Sequence, residues 1–114
     1  MNPNKFTWFL LTTIYLFISG CNTQEPKLIP QWTVHEIELT AHDTYENPFT
    51  QVNLWAVFKS SVGDSLVRPG FWDGDQSWKI RFAPPKADVT WTYETFANPE
   101  DDGLHGKKGT FHSV

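Results

Sequence analysis

From Trp32 onward the chain alternates apolar and polar residues with a period of two. No segment carries apolar residues at i, i+3, i+4 and i+7 over three turns. A period of two puts successive side chains on opposite faces of a strand, so this alternation restricts the chain to sheet. Val52, Leu54, Ala56 and Phe58 form the cleanest such face. Trp78, Ile80 and Phe82 form a second, and Val89, Trp91, Tyr93 and Thr95 a third. Further short strands are expected at Ser65–Arg68 and Gly109–Val114. Trp32-Thr33-Val34 and Ile37-Glu38-Leu39 alternate out of phase by one residue, which predicts a bulge near His35-Glu36.

Turn-forming clusters separate these runs: Asn47-Pro48, Ser61–Asp64, Asp73-Gly74-Asp75, Pro84-Pro85 and Asp101-Asp102-Gly103. Phe71–Trp78 reads as a hairpin closed at Asp-Gly, where a glycine accepts positive φ at no steric cost. Six to seven short strands so spaced predict an all-β fold, an antiparallel β-sandwich almost without helix. Six strands would leave one edge open to pairing with a partner.

The 114 residues allow a single domain. Thirteen acidic residues against nine Lys and Arg leave no basic patch to neutralise phosphates, so nucleic acid is excluded as a partner. The single Cys excludes an intramolecular disulfide and a Cys-based zinc site. Six Trp in so short a chain predict an aromatic core.

Residues 1–20 read as a secretory signal. One basic residue, Lys5, precedes an apolar run from Phe6 to Ile18, too short to span a bilayer, and small residues follow. Ile18-Ser19-Gly20-Cys21 resembles the bacterial lipobox. The resemblance implies that Cys21 is lipidated and becomes the new N-terminus, anchoring the protein to a membrane of the bacterial cell envelope, facing the periplasm or the cell surface. Residues 21–31, polar and carrying Pro26 and Pro30, read as a tether, and residues 32–114 as the domain.

No catalytic constellation is legible. Glu36 and Glu38 sit two apart on one strand, roughly 6.6 Å from each other. Glycoside hydrolysis needs carboxyls that flank the scissile bond, which two acids on one open face cannot do. Asp73 and Asp75 share a turn. Glu100-Asp101-Asp102 offers too few oxygens for more than a weak Ca²⁺ site. His35, His42, His105 and His112 show no metal-ligand spacing and default to solvent-exposed positions. No cofactor, no metal and no catalytic residue is expected.

Three stretches together resemble a bacterial family. They are Asn47-Pro48-Phe49-Thr50, then Pro69–Asp75 with Trp78–Pro84, then Thr90-Trp91-Thr92-Tyr93. They resemble the domain of unknown function 5060, over about residues 32–112. The resemblance implies an Ig-like β-sandwich placed before a glycosidase-like barrel of the apiosidase-like type (domain of unknown function 4038). Such a barrel needs roughly 200 residues or more, so it does not fit in this sequence. A truncated product, a gene fragment and a stand-alone module all agree with that. The family's chemistry lies in the barrel, so no catalytic residue transfers to these positions.

Trp32, Trp78 and Trp91 are expected in the core. Trp55, opposite the Val52–Phe58 face, and Trp72, at the hairpin, are the candidates for glycan or interdomain contact. The implied function is that of a non-catalytic accessory domain that supports or orients a downstream barrel. The alternative is a carbohydrate-binding module that recruits polysaccharide through exposed Trp.

Overall fold

The computed structural model describes residues 27–114. The expected signal segment, Cys21 and the start of the expected tether lie outside the described residues. Seven strands account for most of the described chain: β1 (Leu28–Ile29), β2 (His35–Thr40), β3 (Asn53–Ser60), β4 (Ser65–Trp72), β5 (Ser77–Phe82), β6 (Val89–Asn98) and β7 (Lys108–Ser113). Their hydrogen-bonded order is β1-β7-β6-β3-β4-β5-β2. All neighbours run antiparallel except β1 and β7, which are parallel.

Strand β4 divides this order into two layers. Its first half, Ser65–Pro69, pairs with β3, and Gly70–Trp72 then pairs with β5. The switch falls on Pro69-Gly70. A Cβ on Gly70 would run into the side chain of Leu54, so only glycine lets the two layers close up there. Across the gap Phe58 of β3 stacks on Phe82 of β5, with ring centroids 4.1 Å apart. Phe82 also meets Trp91 of β6 and Phe111 of β7 edge-on. These four rings are each at most 1% exposed and form the centre of the core. The three alternating faces read from the sequence point inward as expected, with Tyr93 half-buried at the rim.

The structure revises four expectations. Trp32 is not in the core: it is 68% exposed, in a turn, at φ 65°. That turn, rather than a bulge, absorbs the phase slip. The β2–β5 register runs unbroken from His35↔Phe82 to Thr40↔Ser77. His35 is buried, with its ring against Phe111, and burial followed by the charge of Lys27 lowers its pKa. Finally, Leu28-Ile29, within the stretch read as tether, pair with His112 and Ser113 and cover the edge of β7 that a six-strand count leaves open.

One short helix, α1 (Pro48–Gln51), precedes β3. Pro48 occupies the first turn, where its missing N–H costs nothing, and the Gln51 side chain accepts from the Asn47 N–H at 2.9 Å. Four residues are too few to show a helical period. The Asp-Gly hairpin forms as expected, with Trp72 opposite Trp78 and Gly74 at φ 98°.

Candidate functional site

The alternation that sends Leu54, Ala56 and Phe58 inward sends Trp55, Val57 and Lys59 outward on β3. Strand β6 lies alongside, with Trp55 opposite Phe96, Val57 opposite Glu94 and Lys59 opposite Thr92. Strand β7 continues two of these rows, with Lys108 beside Glu94 and Thr110 beside Thr92. The result is a groove of about 570 Å³ on the outer face of the sheet. Its lining runs from Phe96 through the row of Val57, Glu94 and Lys108 to the row of Lys59, Thr92 and Thr110, and Trp55 stands just outside it, against Phe96. The Trp55 and Phe96 rings stack at 5.8 Å and 17°, and both are half-buried. Glu94 and Lys108 approach to 3.8 Å. At Gly109 a Cβ would strike the Tyr93 ring, so glycine leaves that ring room beside β7.

Trp72 lies elsewhere. It packs against the core cluster, meets Phe49 edge-on at 5.0 Å, and donates its indole N–H to the Asp75 carbonyl at 2.8 Å. It lines a smaller hollow of about 330 Å³ with Tyr45, Glu46 and Pro48. The two tryptophans singled out from the sequence are thus not brought together. Phe96, which sequence reasoning did not select, is the residue that joins Trp55, and Glu94 and Lys108, equally unselected, line the groove beside Phe96. Extending the Thr90, Thr92, Glu94 alternation by one step would have placed Phe96 outward. The pairing of β6 with β3 has no local signal.

The acids read from the sequence are engaged in structure. Glu36 accepts from the Arg81 Nε at 2.9 Å and lies 3.3 Å from the Lys79 Nζ. The Arg81 hydrogen bond, and after it that of Lys79, lowers the Glu36 pKa. A general acid requires the opposite shift. Asp73 holds Lys79 at 2.8 Å, and Glu38 is 3.9 Å from the same ammonium. Asp101 is not a surface metal ligand but an interior anchor, 2% exposed. It accepts from the backbone N–H groups of His42 (2.8 Å), Asp43 (3.0 Å) and Gly103 (2.8 Å), and from the Tyr45 hydroxyl (2.7 Å). Burial alone would raise its pKa; the four hydrogen bonds outweigh burial and hold it at about 2. Burial first, then the bond to Asp101, pushes Tyr45 up to about 12. This node ties the loop after β2 to the loop after β6. Among the described residues no cluster of three or more His, Cys, Asp or Glu is placed to hold a metal. Nor is any described helix long and apolar enough to cross a membrane.

Comparison with known proteins adds two findings. The structure of a candidate glycoside hydrolase from Bacteroides vulgatus ATCC 8482, solved at 1.80 Å, is similar with a TM-score of 0.66 and 30% identity. The match covers 79% of this chain and 16% of that one, so this chain spans about one-sixth of that relative's length. No curated protein matches. The family model described as Domain of unknown function (DUF5060) matches residues 28–98, from the first residue of β1 to the last of β6. That is more than half of the sequence, and on this ground the chain belongs to the DUF5060 family.

Proposed function

We propose that the chain is a non-catalytic, Ig-like accessory domain of a lipid-anchored, glycoside-hydrolase-like protein, in which it holds and orients a catalytic barrel. The observation that carries this reading is the 30% identity, over 79% of the chain, to one-sixth of a candidate glycoside hydrolase. The chemistry agrees with it. Glu36 is held ionised by Arg81 and Lys79, and Glu38 shares its face rather than opposing it.

An exposed Trp32 supports docking against a further domain. A bulky residue at positive φ is held in a costly conformation, and such strain clusters where a side chain is presented for use. The Trp32 N–H donates to the Pro84 carbonyl, and the neighbouring Gln31 N–H to the carbonyl of Val114. A segment continuing from Val114 would therefore leave beside Trp32. Val34 and Leu28, both more than half exposed, add apolar surface to the segments on either side of it.

Sequencing the genomic DNA beyond the Val114 codon tests the proposal. A frame that runs on into a barrel-length coding region supports it, and unrelated sequence after a clean stop refutes it. Anchoring is tested separately by labelled palmitate, whose incorporation is expected to vanish in Cys21→Ser.

A further inference from the structure

The outer groove over β3, β6 and β7 has the chemistry of a saccharide site rather than of a protein interface. A pyranose presents an apolar C–H face and a fringe of hydroxyls that both donate and accept. The Phe96 ring, backed by the stacked Trp55 ring, offers an aromatic wall for the first. The next two rows supply the second. The Glu94 carboxylate accepts, the Lys108 and Lys59 ammoniums donate, and the Thr92 and Thr110 hydroxyls do both. The volume of about 570 Å³ falls within the range of small-molecule sites.

Two features select the ligand class. The centre of the groove carries the Glu94–Lys108 pair, whereas the middle of a protein–protein interface is depleted of charge. The large apolar groups that would suit a protein partner, Trp32 and Phe49, lie outside the groove, at 68% and 74% exposure. The pairing of Glu94 with Lys108 leaves the central row without net charge, which favours a neutral ligand over an acidic one. We infer that this groove binds a short stretch of neutral polysaccharide, with a sugar ring on Phe96, which Trp55 backs, and its hydroxyls on Glu94, Lys108 and Thr110. This goes beyond the accessory role and does not depend on it, because the site lies wholly on this chain.

The test is native gel electrophoresis of the full chain through gels containing xyloglucan, galactomannan or mixed-linkage β-glucan, with polygalacturonate as the acidic control. Retardation by at least one neutral polymer is expected. Phe96→Ala should weaken it by about tenfold, the value of one aromatic contact. Thr110→Glu, at an exposed position away from the core, fills the groove without touching the fold and should abolish retardation while leaving the melting temperature unchanged. Trp72→Ala should bind as the parent does. Absence of retardation by every neutral polymer, retardation by polygalacturonate alone, or binding that survives Thr110→Glu would each overturn the assignment.

Discussion

Strand β3 carries two aromatic rings three residues apart, and their neighbourhoods differ completely. Phe58 stacks on Phe82 at 4.1 Å and 5°, both rings sealed between the layers. Trp55 stacks on Phe96 at 5.8 Å and 17°, on the face that water reaches. The first pair joins strands that never exchange a hydrogen bond and so holds the two layers together. The second joins residues already paired across the β3–β6 ladder, so it adds little that the ladder does not provide. An aromatic pair the fold does not need is free to serve a ligand.

The largest effect should come from opening the inner pair. Phe58→Ala leaves a cavity that rigid layers cannot collapse, and about 4 kcal/mol of stability should be lost in urea denaturation. If the loss were no greater than for Trp55→Ala, the contrast between the two faces would fail. Next comes the node that closes the loops. Asp101→Ala strands three backbone N–H groups and the Tyr45 hydroxyl, so about 3 kcal/mol should go, and amide exchange at His42, Asp43 and Gly103 should quicken.

The same carboxylate predicts a pH dependence. Asp101 sits at about 2 in the folded chain, below the ordinary aspartate value of 3.8. A depressed folded pKa favours the native state at pH values above the unfolded one. About 2 kcal/mol should therefore be present above pH 4 and fall away as the pH drops towards 2. Melting curves across that window, compared with those of Asp101→Asn, test the sign. The variant's curve should be flatter, and a parent whose stability rises on acidification would contradict the argument. Smallest of all is the outer pair. Trp55→Ala should cost under about 1 kcal/mol, since its ring is only partly removed from water and its strand is paired on both sides.

Much of the core was legible because strand burial is a matter of parity. Leu54, Ala56, Phe58, Trp78, Ile80, Phe82 and Trp91 all point inward as their alternation requires. Other residues depart from expectation for three different reasons. Trp32 precedes β2 in a turn, and its size suggested the interior, whereas a positive φ turns it outward. Polarity alone assigns His35 to solvent, although it shares the parity of Ile37 and Leu39 and packs on Phe111. Asp101 looked like one of a run of surface acids. Only the return of the His42–Tyr45 loop, nearly 60 residues away in sequence, makes it an anchor.

The candidate site divides in the same way. Trp55 could be placed on an outer face from β3 alone, but not beside Phe96, because sheet order is a long-range choice that no local pattern encodes. Trp72 was equally visible in the sequence, yet the partner switch at Pro69-Gly70 carries it onto the other layer and against the core. By itself, then, the sequence determined an all-β chain, its turns, and which side chains of each strand share a face, since these follow from a two-residue period and the φ preferences of Gly and Pro. Tertiary structure alone decided which strands lie side by side. It thereby also decided which outward residues gather into one groove and which acid is drawn inside, because those depend on contacts between segments tens of residues apart.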